Sequence, residues 1–272
     1  MKSPWIAALR SVALTVPDLA AAEVFYTRIW QLDVADRLDG AIWLRGSGAD
    51  HHLLELREHP GTPQILHVTL RARTADALGA VAQATTAASG AVERDIGPAG
   101  DPAGGRSIVI TDTDGRRYQV VHGDVRRSAD EPPPRDRPVR LAHVGLNNHD
   151  IPSTQAFMER ALGFVLADRT RIMAFMNCDV DHHSLAIGDT DNDALNHVAF
   201  LMPSLDAVMR GGGRMKDAGH AVEWGPGRHG PGDNTFNYFI YPFGIVIEYT
   251  AEVEQIDDSY RVGAPDDWTW PP

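Results

Sequence analysis

The feature that most constrains the fold is an internal repeat that covers almost the whole chain. The segment Leu9–Leu14 (LRSVAL) matches Leu141–Leu146 (LAHVGL), 132 residues later. This spacing shrinks by only three residues over the repeat, because Gly115–Gln119 matches Gly244–Glu248 at a distance of 129 residues. Two tandem copies of one structural unit explain such a regular match, so we expect two similar domains.

A proline-rich segment separates the two copies. Residues 128–137 read SADEPPPRDR, and three consecutive prolines cannot continue a helix or a central strand. We therefore predict an N-terminal domain over residues 1–127, a linker over residues 128–138 and a C-terminal domain over residues 139–272.

Each copy also divides into two similar modules, each with a strand, then a helix, then further strands. In the second copy, strands over His143–Asn147 and His197–Met202 precede helices that begin near Asp150 and Ser204, which are typical N-cap residues. The matching first-copy segments are strands over Val12–Val16 and Ile65–Leu70 and helices that begin near Asp18 and Thr74. The predicted fold class is α+β, with four βαβββ modules, two in each domain.

The composition argues against several classes of partner. The 272-residue chain has a formal net charge of −12, which repels nucleic acid phosphates and anionic membranes. It has no apolar run near the roughly 18 residues of a membrane span, and its N-terminus lacks a signal-peptide pattern. Cys178 is the only cysteine, which fits a reducing cytoplasm. We expect a cytoplasmic protein with no nucleic acid or membrane partner.

A glycine triplet gives no sign of a nucleotide site. Gly211–Gly213 does not follow a strand-like segment, and the chain lacks the GxxxxGK[ST] phosphate loop. We interpret the triplet as a loop or a helix break.

Polar residues occupy strand positions of the second copy where apolar residues are usual. His143 and His197 each lie near the start of a module, and Glu248 lies within the apolar run Ile245–Tyr249. A buried carboxylate must be paired or bound to a metal, because desolvating a bare charge costs several kcal/mol. Two imidazoles and one carboxylate form the facial triad of non-haem iron(II) oxygenases, which leaves coordination positions open.

A single histidine in a strand is more often a structural residue than a metal ligand. The repeat favours the metal interpretation, because the matching residues of the first copy are Ser11, His67 and Gln119. Ser11 and Gln119 are poor iron ligands, whereas purely structural residues would be expected to keep similar types in both copies. The second copy therefore has the composition of a metal site that the first copy lacks.

The chain resembles the type I extradiol ring-cleaving dioxygenases of the vicinal oxygen chelate superfamily. The resemblance covers nearly the whole chain, and the motifs that carry it are LAHVGL at 141–146, DHHSLAI at 181–187, LNHVAF at 195–200, GPGRHG at 225–230 and YFIYPFGIVIE at 238–248. It implies paired βαβββ modules, an active C-terminal domain alone, and His143, His197 and Glu248 as ligands of Fe(II), with Mn(II) as the alternative metal.

The same resemblance implies three catalytic residues near the metal. His183 matches an acid–base histidine beside the oxygen site, and His229 and Tyr238 match residues that bind the substrate oxygens. His182 is the alternative to His183 if the register shifts by one residue. We interpret His182 as a strand neighbour that faces away, because successive strand side chains point to opposite faces.

Two aromatic residues are candidates for substrate binding. Trp224 stands where some relatives that bind acidic catechols carry an arginine, and it either favours a neutral, apolar or bicyclic catechol or only packs the domain. Phe175 is a second candidate for the pocket wall. The tail Trp268–Pro272 either covers the site or forms a subunit contact.

The resulting expectation is a homo-oligomeric enzyme that opens a catechol ring with dioxygen. Two alternatives stay open at this stage. One is another enzyme of the same superfamily, either a glyoxalase-type isomerase or a thiol transferase. The other is a non-enzymatic protein that binds a small aromatic molecule, which would be expected to carry a degraded metal triad.

Overall fold

The computed structural model describes residues 2–38, 40–132, 134–241 and 243–268, and it contains two eight-stranded sheets. The first half has the order β1 (Ile6–Val16), α1 (Leu19–Val24), β2 (Asp33–Leu38), β3 (Ala41–Arg45), β4 (Leu54–Glu58), β5 (Ile65–Ala72), α2 (Asp76–Ala87), β6 (Ala91–Pro98), β7 (Arg106–Thr111) and β8 (Arg117–His122). A π-helical turn, Phe25–Ile29, extends α1.

The second half repeats this order. Its elements are β9 (Arg140–Asn148), α3 (Ile151–Leu162), β10 (Val165–Arg169), β11 (Met173–Asn177), β12 (Leu185–Asp189), β13 (Leu195–Leu201), α4 (Leu205–Asp217), β14 (Trp224–Arg228), β15 (Thr235–Ile240) and β16 (Val246–Ala251). One 3₁₀ turn, Pro265–Asp267, follows them.

Both sheets have the same strand order, β2-β3-β4-β1-β5-β8-β7-β6 in the first and β10-β11-β12-β9-β13-β16-β15-β14 in the second. In each sheet the first strands of the two modules, β1 with β5 or β9 with β13, pair antiparallel at the centre. The predicted α+β class with four βαβββ modules is therefore confirmed. We propose that the two domains divide between His122 and Arg140, where the first sheet ends and the second begins.

Local sequence signals place three of the helices as predicted. The carboxylates of Asp18 and Asp150 accept hydrogen bonds from the backbone N–H groups of Ala21 and Ser153, which caps α1 and α3. Ser204 caps α4 in the same way. In the described part of the chain, no helix is long and apolar enough to cross a bilayer.

The two halves contact each other through an aromatic stack next to the end of β16. The ring of Trp30 lies parallel to that of Tyr249, with 3.6 Å between centroids. The Tyr249 hydroxyl donates to the backbone oxygen of Trp30 at 3.2 Å, and the Arg214 guanidinium donates to the backbone oxygen of Ile29 at 2.7 Å. The N-terminal half therefore holds two elements of the C-terminal half, α4 and β16.

The interpretation of Gly211–Gly213 as a loop or helix break is wrong, because α4 runs through the triplet without interruption. Close packing explains Gly211 but not Gly213. A Cβ added at Gly211 would lie 2.7 Å from Tyr249 Cε2, whereas one added at Gly213 would meet nothing within 4 Å. Gly211 thus allows the helix to approach the ring that stacks on Trp30.

This contrast predicts opposite effects of the same substitution at two neighbouring positions. Gly211→Ala should lower the free energy of unfolding by about 1–3 kcal/mol, because the stacked Tyr249 ring cannot move away from the added methyl. Gly213→Ala is the matched control and should raise it by up to about 1 kcal/mol through helix propensity. Urea unfolding followed by circular dichroism measures both, and equal effects at the two positions would contradict this packing explanation.

Candidate metal centre

Three adjacent strands at the centre of the second sheet carry the predicted ligand residues on one face. His143 on β9 lies opposite Ala199 on β13, and Ala199 lies opposite Glu248 on β16. His197 is two residues before Ala199 on β13 and therefore points to the same face. The small Ala199 side chain leaves the space between His143 and Glu248 open.

The side chains of His143, His197 and Glu248 meet above this face. His143 Nε2 lies 2.9 Å from His197 Nε2 and 3.2 Å from Glu248 Oε2, and His197 Nε2 lies 3.5 Å from the same oxygen. Two ligands in neighbouring positions of an octahedral metal are about 3 Å apart when each bond is about 2.1 Å long. All three separations are near this value, so the atoms match one triangular face of an octahedron.

The surroundings of Glu248 supply the test of whether a cation fits. Its side chain has no solvent exposure, and neither carboxylate oxygen has a hydrogen-bond donor with suitable geometry. Burial raises its pKa, but the imidazoles of His143, His229 and His197 hold the pKa below its usual range. A buried anion with two unsatisfied oxygens is costly. A divalent cation held by the three residues would remove that cost, so the donor set fits a metal.

A chain of side-chain amides fixes the tautomer of His197. The backbone N–H of Ala194 can only donate, so the atom that it contacts on Asn192 is the oxygen. This Asn192 oxygen also accepts a hydrogen bond from the NH₂ group of Asn147. The Asn147 oxygen in turn accepts from the NH₂ group of Asn196. The Asn196 oxygen is therefore left to accept from His197 Nδ1, at 2.7 Å. His197 Nε2 thus carries a lone pair towards the triad, as a metal ligand requires.

Burial and the neighbouring His143 lower the pKa of His197 to about 3, so its imidazole is neutral near pH 7. A neutral imidazole is the form that binds a metal. Gly145, directly opposite on β9, leaves room for the His197 ring, because an added Cβ would overlap it.

Among the residues that the structure describes, the matching face of the first sheet carries no such triad. The Arg10 guanidinium, next to Ser11, is buried and donates to Asp101 at 2.6 Å, and Gln119 donates to the same carboxylate at 3.2 Å. A fixed positive side chain and a carboxylate thus fill the region where the second half presents its three ligand atoms.

A cavity of about 400 Å³ opens above the triad, and His143 and His197 form part of its wall. Its apolar lining includes Phe175, Trp224, Ile172, Met173, Val246 and Trp268. Both substrate candidates therefore line the cavity. Trp268, at the start of the predicted tail cover, also lines it, whereas residues 269–272 lie outside the described residues.

Three exposed carboxylates, Asp189, Glu223 and Asp267, line the outer part of the same cavity. None of the described residues that line it is a lysine or an arginine. Arg261 lies 4.0 Å from Asp267, but Asp189 and Glu223 have no basic residue beside them in the described lining, so the entrance disfavours anions.

The three predicted catalytic residues also line this cavity. The ring of His183 lies 4.4 Å from that of His143, centre to centre, and burial with the neighbouring imidazoles lowers its pKa. His229 Nε2 lies 3.1 Å from Tyr238 Oη and 3.8 Å from Glu248 Oε1. Burial and the Glu248 charge raise the pKa of Tyr238, so its phenol keeps its proton. Each residue therefore faces the space beside the triad.

The interpretation of His182 as a strand residue is wrong, although its side chain does not line the cavity. His182 precedes β12, its side chain is completely buried, and its Nδ1 lies 3.0 Å from Nδ1 of His183. Its Nε2 lies 2.8 Å from the buried carboxylate of Asp168. Sequence analysis missed Asp168, although the tripeptide Ala-Asp-Arg occurs at both 35–37 and 167–169, 132 residues apart, which matches Asp36 with Asp168 in the repeat. It missed Asn196 because polar residues near strand ends are common.

Comparisons with known proteins agree with this fold. The sequence model of the Glyoxalase/Bleomycin resistance protein/Dioxygenase superfamily matches residues 8–120 and 140–249. A Mn(II)-bound glyoxalase from Novosphingobium aromaticivorans superposes with a TM-score of 0.91 at 31% identity, over 96% of this chain and 88% of that one. Homoprotocatechuate 2,3-dioxygenase from Arthrobacter globiformis gives a TM-score of 0.87 at 22% identity, over 97% and 85%, which supports the fold alone.

Two curated relatives match part of the chain. Metapyrocatechase 2 from Cupriavidus necator is 33% identical over 145 residues, which are 52% of this chain and 43% of that protein. Metapyrocatechase from Pseudomonas sp. (strain CF600) is 29% identical over 115 residues, 40% of this chain and 38% of that protein. The chain thus matches less than half the length of either metapyrocatechase.

The converging ligand atoms predict that His143→Ala loses metal. Removal of one of three ligands should weaken Fe(II) or Mn(II) binding by more than the roughly 10–100-fold that loss of a supporting hydrogen bond costs. Ser11→Ala, the same position in the first half, is the matched control and should bind metal like the unchanged protein. Metal content after anaerobic reconstitution measures both, and full metal content in His143→Ala would contradict the assignment.

Proposed function

The chain belongs to the Glyoxalase/Bleomycin resistance protein/Dioxygenase superfamily, and from this premise we propose that it is an extradiol dioxygenase. In this reaction dioxygen cleaves a catechol ring at a carbon–carbon bond next to the diol, and both oxygen atoms enter the product. The observation that carries the proposal is that His183, His229 and Tyr238 line the same cavity as the triad. The partial similarity to two metapyrocatechases supports it.

His143, His197 and Glu248 would hold Fe(II), and their ligand atoms also suit Mn(II). When bound, iron would supply a Lewis acid with open positions for both catechol oxygens and dioxygen. The three ligand atoms lie together at one end of the cavity, so the space above them is open to a substrate.

The proposed substrate is a catechol with a neutral, apolar substituent. The cavity falls in the range of small-molecule sites, about 300–1,000 Å³, and offers aromatic surface from Phe175 and Trp224. The carboxylates of Asp189, Glu223 and Asp267 at its entrance disfavour an acidic substituent. Trp224 lies nearly parallel to Tyr238, with 5.2 Å between ring centroids, so it extends the aromatic wall outward from the triad.

Two groups, Tyr238 and His229, are the proposed ligands of the catechol oxygens. The Tyr238 phenol keeps its proton and can donate to an anionic catechol oxygen, and His229 beside it can bind the same oxygen. Because both are held near Glu248, they orient the diol towards the triad. Preorganised donors of this kind stabilise negative charge without having to reorient during the reaction.

His183 is the proposed acid–base residue on the side of His143. It is neutral near pH 7, because burial and the neighbouring imidazoles lower its pKa. A neutral imidazole can accept the proton that the catechol loses and return it to the oxygen that leaves when the O–O bond breaks.

A metal-dependent isomerase is the second candidate, because a Mn(II)-bound glyoxalase is 31% identical over most of both chains. An isomerase rearranges its substrate without oxygen, so oxygen uptake separates the two functions. A thiol transferase would also act without oxygen uptake. The three proton-handling residues beside the triad favour the dioxygenase, which must both deprotonate a diol and protonate a leaving oxygen.

The proposed function predicts oxygen consumption with catechols and a preference among them. The Fe(II)-loaded protein should consume oxygen with 2,3-dihydroxybiphenyl and form a yellow product. For an otherwise similar carboxylate-bearing catechol, kcat/KM should be at least about 10-fold lower, since roughly 1.4 kcal/mol of repulsion is sufficient. High salt should reduce the difference in kcat/KM between the two catechols, because it screens the carboxylates at the entrance. No oxygen uptake with any of several catechols would eliminate the dioxygenase.

The role proposed for His183 predicts a loss of rate without a loss of metal. His183→Phe should keep its iron and lower kcat by roughly 10²–10⁴-fold, the usual contribution of acid–base catalysis. The same substitution at the exposed residue His149 is the control and should leave turnover unchanged. Stopped-flow measurement of product formation at matched iron content gives kcat, and unchanged turnover in His183→Phe would show that another group carries the proton.

A further inference from the structure

A buried row of three side chains leads away from the triad. Asp168 Oδ2 lies 2.8 Å from His182 Nε2, and His182 Nδ1 lies 3.0 Å from His183 Nδ1. Asp168 and His182 have no solvent exposure and His183 has almost none. None of these contacts is needed to hold the three metal ligands, so the row requires its own explanation.

The carboxylate determines which way the hydrogen bonds of the row point. Asp168 can only accept, so His182 Nε2 carries a hydrogen and donates it. In a neutral imidazole the other nitrogen is then an acceptor, so His182 Nδ1 accepts from Nδ1 of His183. The remaining nitrogen of His183, Nε2, has a free lone pair, and the His183 ring lines the cavity beside His143.

Asp168 does not need a full positive charge on His182. Its Oδ1 accepts the backbone N–H of Gly263 at 2.6 Å, and its Oδ2 also accepts the Tyr260 hydroxyl at 3.0 Å. With His182, three donors satisfy the buried carboxylate. A neutral His182 is therefore compatible with these contacts.

The first half has the same pair of histidines with the opposite hydrogen-bond direction. His51 Nδ1 lies 3.1 Å from His52 Nδ1, but His51 Nε2 lies 3.4 Å from the guanidinium of Arg127, which can only donate. Asp36, which matches Asp168 in the repeat, is only half-buried and accepts the N–H of Arg37 instead. The carboxylate therefore ends the row only in the half that has the triad.

Two of the three donors to Asp168, Tyr260 and Gly263, come from the segment that covers the cavity. Residues 252–268, which we name the C-terminal strap, include Tyr260, Gly263 and the cavity residue Trp268. The backbone N–H of Arg169 also donates to the Gly263 oxygen at 2.9 Å, which ties the strap to the end of β10. The strap thus covers the cavity on one side and holds Asp168 on the other.

We propose that Asp168 and His182 are positioning residues that keep the hydrogen of His183 on Nδ1 and present its Nε2 to the cavity as a proton acceptor. The hydrogen-bond direction is independent of the reaction, whereas its consequence for turnover rests on the proposed function. In that reaction His183 takes a proton from the catechol at Nε2 first and returns the same proton later.

Asp168→Asn provides a test because Gly263 fixes the orientation of the new amide. The Gly263 N–H must face the amide oxygen, so the NH₂ group faces His182 and donates to its Nε2. His182 must then carry its hydrogen on Nδ1 and donate to His183 Nδ1. The variant should therefore move the hydrogen of His183 to Nε2, the nitrogen that faces the cavity.

Nitrogen-15 NMR of the histidine-labelled, Zn(II)-loaded protein reads the tautomer without turnover, because protonated and unprotonated ring nitrogens have well-separated shifts. In the unchanged protein we expect His183 protonated at Nδ1, and in Asp168→Asn at Nε2.

With Fe(II), kcat of Asp168→Asn should fall by roughly 10²–10⁴-fold at similar KM and iron content. Asp36→Asn, the matched change in the first half, should alter neither the His183 signals nor kcat.

Either of two results would overturn the inference. The first is a spectrum of the unchanged protein in which the hydrogen of His183 is on Nε2. This would also be the case if His182 carried hydrogens on both nitrogens, because its Nδ1 would then donate to His183 Nδ1. This result needs no variant, so it decides the question even if Asp168→Asn does not fold. The other is an unchanged His183 tautomer in folded Asp168→Asn. If the spectra show the predicted tautomers but the unchanged protein cleaves no catechol, the proposed hydrogen-bond direction is supported and the dioxygenase function is eliminated.

Discussion

The buried carboxylate of Glu248 is the constraint on which the second half depends. It lies in the middle of an eight-stranded sheet, has no hydrogen-bond donor and faces two imidazole nitrogens. A divalent cation bound at this position would stabilise the arrangement, because the desolvated carboxylate has no hydrogen-bond donor of its own. The three residues therefore fit a cation-binding ligand set, and the amides that orient His197 direct its lone pair towards the other two ligands.

The duplication offers an internal comparison, because the same sheet position has two solutions in one chain. The second half leaves three ligand atoms open to a cavity, whereas the first half fills the region with the Arg10–Asp101 ion pair. In the first half a guanidinium of the protein pairs with the buried carboxylate, whereas in the second half a bound cation would pair with Glu248. The difference between a chemical site and a structural core thus comes from a few side chains on an unchanged backbone.

Sequence analysis predicted the module order, the helix caps and the convergence of His143, His197 and Glu248, because these follow from periodicity and from residue types at repeated positions. It failed for the Gly211–Gly213 triplet, where contact with Tyr249 on the adjacent sheet explains Gly211 and no local signal reveals that contact. It also misjudged His182, whose role depends on Asp168, fourteen residues earlier in the chain. Partners that are distant in sequence and determine hydrogen-bond direction require coordinates.

The first half still contributes to the site, although it lacks the triad. Glu248 and Tyr249 are neighbours on β16, so their side chains point to opposite faces of the strand. One face presents the carboxylate to His143 and His197, and on the other the Tyr249 ring stacks on Trp30 and its hydroxyl donates to the Trp30 backbone. A shift of β16 by one residue would break the stack and remove the carboxylate from the triad together. The N-terminal half therefore fixes the register of the strand that supplies the only negative ligand.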